Sequence, residues 1–185
     1  MTPADVPRYH PVAIAFHWLL AAAIVVSFGV GLYMTELPFS PQRLKLYNWH
    51  KWAGVTILAL SALRLLWRLK NRPPDDLPMP AWQRQAAHMT HRALYVLFFA
   101  VPLMGWAYSS AAGFPVVVYG VLPLPDFVAA DKALAETLKP LHKYLAYLLA
   151  LVVAGHVAAA LKHHFLDRDL LLHRMWPRRR PKATA

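Results

Sequence analysis

The chain has 185 residues, of which 58% are hydrophobic and only 16% charged. That apolar fraction is rare in a soluble domain of this size and points to a small integral membrane protein. The lack of cysteine excludes disulfides, thiolate-bound zinc, iron–sulfur clusters and haem attached through Cys-x-x-Cys-His, while the net charge of +11 sits between and after apolar runs, which fits juxtamembrane anchoring rather than nucleic acid.

Four segments are long and uncharged enough to cross a bilayer, and they predict an all-α bundle of four transmembrane helices. The first runs from about Val12 to Met34, too long and too weakly marked for cleavage to be a removed signal peptide. The second covers about Leu46–Leu69, with Lys51, Arg64 and Arg68 towards its ends. The connection NRPPDDLPMPAWQRQ is proline-rich and polar and reads as a short loop. The third span covers about Ala86–Ser109 and the fourth about Leu138–His164. Between them, GFPVVVYGVLPLPDF carries three prolines and cannot span; it is expected to lie over one mouth of the bundle, followed by a short interfacial helix in FVAADKALAETL. Trp106, Tyr108 and Tyr119 suit an aromatic belt there. Residues 8–177 form one transmembrane domain on this reading, and 178–185 a basic disordered tail. Thirteen Lys and Arg on the side of the termini against six on the other, Arg92 set aside, predict both termini in the cytoplasm.

The histidines sort by depth. His142 and His156 are fourteen residues apart, which puts them on one helix face about 21 Å apart along the axis. His17 lies a short way into the first span from the inner side, and His50 near the outer start of the second. An inner pair, His17 with His156, and an outer pair, His50 with His142, result. Two low-spin haems, each between two imidazoles, fit that layout. A lone intramembrane histidine more often bonds a neighbouring helix, and a histidine-lined transition-metal transporter is a rival. A transporter usually adds carboxylates along its path, and none of the nine Asp and Glu residues lies within a span.

Other polar residues are more open. His88 and His91 are read as contacts to a cofactor carboxylate, as interface residues, or as replacements for His17. His163 and His164 suit a quinone carbonyl and its protons, or headgroup contact. Lys51 and Lys143 each follow an outer histidine and suit haem propionates or an incoming anion, or ordinary snorkelling. Arg64 and Arg68 suit inner propionates or lipid phosphates. His10 and His173 are expected at the surface.

The segments RYHPVAIAFHWLLA, NWHKWAGVTILALSALRLLWRL, AHMTHRALYVLFFAVPLMGW and LHKYLAYLLALVVAGHVAAALKHHFLDRDLLLHRMWP together resemble the prokaryotic cytochrome b561 family over most of residues 8–177. The resemblance implies a multi-pass protein of the bacterial inner membrane with two haem b groups, His17 and His156 holding the inner and His50 and His142 the outer. It implies electron transfer between the periplasmic face and the quinone pool. Superoxide would be oxidised near Arg43, Lys51 and Lys143, and ubiquinone reduced near the inner haem, with His163, His164 and Trp176 as quinone contacts. No extra domain is evident, which favours a self-contained oxidoreductase. The rival within the family is a haem-bearing anchor that passes electrons between a periplasmic enzyme and quinone.

Overall fold

The computed structural model describes residues 6–177. Four long helices dominate it: α1 (Pro11–Glu36), α2 (Pro41–Lys70), α3 (Ala81–Ala111) and α4 (Lys132–Lys162). Each is long and apolar enough to cross a membrane. The basic tail expected over 178–185 lies outside the described residues.

The helix starts are written locally. His10 is no idle surface residue: its Nδ1 accepts from the Val12 N–H at 3.2 Å, capping α1, and Pro11 takes the first helical position. Ser40 caps α2 in the same way through the Arg43 N–H, again followed by a proline. Asp131 caps α4 through the Leu134 N–H, and its own N–H donates to the Ala111 carbonyl at the end of α3.

Two expected loops are shorter than predicted. The Ala81–Gln85 end of the 2–3 connection is the first turn of α3, entered from Pro80, whose carbonyl accepts from the Gln83 and Arg84 N–H groups. The separate interfacial helix expected over FVAADKALAETL is absent: helix begins at Lys132 and runs through Pro140 into the span without a break. Pro140 removes one N–H in the part of α4 where Glu136 is still exposed, so the carbonyl it leaves over stays within reach of water.

The 3–4 connection folds as a short hairpin with a three-residue loop, 119–121. β1 (Val117–Val118) pairs antiparallel with β2 (Leu122–Pro123). Tyr119 and Gly120 both have positive φ, 51° and 76°, which is the backbone of a type I′ turn. The hairpin is fixed to α2. Trp52 donates its indole N–H to the Val117 carbonyl at 2.6 Å, Lys51 its ammonium to the Pro115 carbonyl at 3.2 Å, and the Thr56 hydroxyl lies 2.8 Å from that of Tyr119.

At the opposite end, beyond α4, His163–Asp167 form a π-helical turn closed by Arg168 with φ 52°, and Leu172–Met175 a 3₁₀ turn. Arg174 is 2% exposed. Its guanidinium donates to the carbonyls of Pro7 (2.8 Å) and Asp75 (2.7 Å) and lies over the Tyr9 ring. Three distant stretches of chain are held there, and Trp18 adds a third hydrogen bond, donating to the Met175 carbonyl at 2.8 Å.

α1 packs on α2, α2 on α3 and α3 on α4; α1 and α4 share no comparable backbone contact. The buried core lies at mid-height and comprises Leu20, Ile24, Ile57, Leu94, Leu97, Phe98 and Leu149. Outward residues such as Leu19, Val25, Val26, Val96 and Leu151 are more than half exposed. On membrane-spanning helices these are the lipid-facing surface, where apolar side chains lose nothing by facing outward.

Arg174→Ala removes two charge-assisted bonds, a loss of about 2–4 kcal/mol. It is expected to lower the thermal midpoint of the detergent-solubilised protein by roughly 5–10 °C. An unchanged midpoint by circular dichroism would show that the clasp does not stabilise the fold.

Candidate functional site

Both histidine pairs anticipated from depth meet in the structure. The rings of His17 on α1 and His156 on α4 have centroids 6.2 Å apart, inclined at 64°. Those of His50 on α2 and His142 on α4 are also 6.2 Å apart, inclined at 82°. All four side chains are half-buried. The two layers are separated along the helices by the apolar core, since Leu20 and Ile24 follow His17, and Leu149 lies midway between His142 and His156.

The hairpin-end pair has a specific seat. His50 Nδ1 lies 3.1 Å from the Ser27 carbonyl, and its ring rests where a Cβ on Gly31 would come within 3.1 Å. His142 Nδ1 lies 3.0 Å from the Val101 carbonyl, and a Cβ on Gly105 would come within 2.9 Å of that ring. Each histidine thus crosses to a neighbouring helix, lies on a glycine, and bonds the carbonyl four residues before it. A carbonyl only accepts, so Nδ1 must carry the proton and Nε2 keeps its lone pair. That is the tautomer a metal ligand needs, with the second nitrogen oriented by the backbone.

Ring spacing bears on what fits between. Metal–imidazole bonds are about 2.0 Å, so two imidazoles on opposite sides of one metal ion place their ring centres about 6 Å apart. Both pairs meet that condition.

The terminal-end layer is built differently. His17 Nδ1 faces the Arg64 guanidinium at 3.4 Å, and His91 stands 5.4 Å from His156 ring to ring. His91 is therefore part of this layer, but its ring lies closer to His156 than the spacing of the other two pairs. His88 is not: it pairs with Asp76 at 2.9 Å at the surface.

The remaining anticipated residues are scattered. Arg43 lies over the Tyr47 ring and Lys143 over the Tyr147 ring, while Lys51 holds the hairpin, so the three share no partner. Arg64 and Arg68 both lie over Tyr95. His163 Nδ1 is 2.6 Å from Asp169 and 3.1 Å from Asp167, which also takes Lys162 at 2.6 Å. His164 stacks near His173. The Trp176 ring packs edge-on against Trp18, and its carbonyl accepts from Arg8.

The seats Ser27/Gly31 and Val101/Gly105 and the clasp at Arg174 escaped the sequence reading. The seats did leave a signal, a glycine four residues after a bonding carbonyl at the depth of a histidine on another helix. Arg174 left none, since nothing local marks an arginine that will fold inward.

Comparison with known proteins places the chain among bacterial relatives. The family model for prokaryotic cytochrome b561 matches residues 8–178. The protein named "Cytochrome b561 homolog 2" from Escherichia coli (strain K12) is 36% identical over 170 residues, 91% of this chain and 90% of that protein. "Probable superoxide oxidase CybB" from Yersinia pestis is 31% identical over 175 residues, 94% of this chain and 98% of its own length. "Cytochrome b561 homolog 1" from E. coli is 30% identical, again over 175 residues.

Trp52→Phe keeps the ring but removes the bond to Val117. Chymotryptic cleavage after Tyr119 is expected to become several-fold faster, because local opening no longer breaks that bond. Equal cleavage rates would mean that Lys51 and Thr56 hold the hairpin without it.

Proposed function

Because this chain belongs to the prokaryotic cytochrome b561 family, we propose that it is a di-haem b electron carrier of the bacterial inner membrane that oxidises superoxide at the periplasmic face and reduces ubiquinone. The observation that carries this reading is the pair of stacked imidazole couples, each with ring centres 6.2 Å apart. The likeness to a protein named as a probable superoxide oxidase supports the choice of donor. The excess of Lys and Arg at the terminal end supports cytoplasmic termini. The hairpin end is then periplasmic.

His50 and His142 are the ligands proposed for the outer haem and His17 and His156 for the inner. Bound haem supplies one-electron storage at a potential set by its ligands, charge and burial. Two superoxide ions and one ubiquinone with two protons give two dioxygen molecules and one ubiquinol. Superoxide loses an electron and no proton, so the chain need only admit a small anion there. Lys51, Lys143 and Arg43 give that end a positive field that raises the local concentration of anions. Quinone reduction does need protons, and His163, His164 and Trp176 at the cytoplasmic end are the proposed contacts. Asp169 and Asp167 accept from His163 Nδ1, which fixes the ring and leaves the Nε2 lone pair to take up a proton and pass it on.

His142→Ala is expected to halve the haem-to-polypeptide ratio measured by pyridine haemochrome, from two to one. Gly105→Val should act in the same direction by displacing the His142 ring, whereas Gly54→Ala, whose added methyl would meet only Pro102 at 4.0 Å, should leave the ratio unchanged. Two haems retained in His142→Ala would overturn the ligand assignment. Superoxide should reduce the isolated wild-type protein; two bound haems without that reaction would favour the anchor of a periplasmic enzyme.

A further inference from the structure

The bonds between the hairpin and α2 fix how far along the helix the hairpin reaches. Lys51, Trp52 and Thr56 hold Pro115, Val117 and Tyr119, in that order. The strand from Pro115 to Tyr119 therefore descends beside α2, from the hairpin end of the bundle towards its middle. Thr56 is six residues beyond His50, about 9 Å further along the axis. The connection expected over one mouth of the bundle thus has its tip against the side of the bundle instead.

That side faces lipid. Trp52, Thr56, Ala59, Leu63 and Leu66 are spaced by four and three residues and form one stripe of α2. The hairpin covers the first two, whereas Ala59, Leu63 and Leu66 are exposed. The hairpin is therefore laid on the outer part of a face whose remainder meets acyl chains. Val116 and Val118 point inward and are buried. Tyr119, Val121 and Leu122 are more than half exposed, Val121 at 81%.

Exposed apolar residues at a loop tip need no lipid to explain them, but a tip in water is usually marked by charge. Edge strands in water carry charged side chains that discourage pairing with other chains. Residues 113–125, GFPVVVYGVLPLP, contain no charge at all. The polar atoms of the tip are also paired as a medium without water requires. The Gly120 and Val121 N–H groups donate to the Val117 and Val118 carbonyls at 3.3 and 3.1 Å, and Pro115, Pro123 and Pro125 have no N–H to satisfy. The Thr56 hydroxyl donates to the Trp52 carbonyl at 2.8 Å, so it accepts from the Tyr119 hydroxyl. A tyrosine at the membrane edge sends its hydroxyl outward to the headgroups. Tyr119 sends it inward, to a partner within the span.

We infer that the hairpin is a re-entrant anchor, whose tip at residues 119–122 sits against α2 among the acyl chains of the leaflet at the hairpin end. Its partner is lipid. The depth comes from bonds to a membrane-spanning helix, and the exposed surface continues the lipid face of that helix.

The chain contains no cysteine, so a single introduced one carries a label at one place only. V121C and L122C are labelled with nitrobenzoxadiazole and the full chain is reconstituted into phosphatidylcholine nanodiscs. V26C, on the outward face of α1, is the lipid reference, and E136C, near the exposed start of α4, is the water reference. Each is quenched in turn by phosphatidylcholine spin-labelled near the top of its acyl chains and by iodide in the buffer. Two tip positions are used so that a label that disturbs the turn at one of them does not decide the result. Spin-labelled lipid is expected to quench V121C and L122C as it does V26C, while iodide quenches them roughly threefold less than E136C. Iodide quenching equal to that of E136C would put the tip in water and overturn the inference, leaving the apolar surface to a partner protein. Weak quenching by both agents would put the tip against protein and overturn it as well.

Discussion

An imidazole ring placed between apolar helices must have its polar nitrogens satisfied, and the bundle is arranged around that requirement. A helix carbonyl already accepts one N–H from within its own helix and has a second lone pair to offer. His50 and His142 use that second pair, at Ser27 and Val101. Reaching it demands close approach to the helix backbone, which only a glycine on the next turn permits; hence Gly31 and Gly105. With Nδ1 engaged, each ring keeps its Nε2 lone pair for another partner, and the two ring centres stand 6.2 Å apart.

Depth is the second consequence. Both pairs are anchored on α4, whose rise separates them, so the space between must be filled with something that neither admits water nor offers competing donors. Leu20, Ile57, Leu97, Phe98 and Leu149 fill it. Apolar side chains suit this layer for the reason that they suit the lipid face, which is that neither asks for hydrogen bonds. The polar chemistry is thus confined to two layers and to the two ends. The hairpin at one end and the Arg174 clasp at the other close those ends with backbone carbonyls, which present no charge to the membrane.

The four helices and the pairing of His17 with His156 and His50 with His142 were legible because both depend on period and depth, which a sequence states directly. The hairpin was legible only as a stretch that cannot span. Its turn depends on Tyr119 adopting positive φ, a conformation that nothing in a tyrosine announces. The interfacial helix expected over FVAADKALAETL erred in the other direction: it is the start of α4 itself, which begins at Lys132 and continues through Pro140, where the loss of a single N–H near the exposed end does not break the span. Lys51 reads as a free charge beside His50, yet its ammonium holds the Pro115 carbonyl. Long-range pairs such as Arg174 with Pro7 and Asp75 have no local signature at all.

The two histidine layers differ in a way that bears on direction. At the hairpin end the rings are oriented by neutral carbonyls, and the nearby cations are engaged elsewhere, Arg43 and Lys143 over tyrosines and Lys51 on the hairpin. At the terminal end a guanidinium touches His17 itself, and Arg68 is one turn away on the same helix. Fixed positive charge stabilises the reduced form of a redox group more than the oxidised form, and it acts most strongly where solvent is excluded. On the proposed reading, the inner position therefore holds an electron more tightly than charge-neutral backbone contacts would. Transfer from the periplasmic side towards a cytoplasmic quinone site then runs with the field of the bundle, and reversing it would mean working against Arg64.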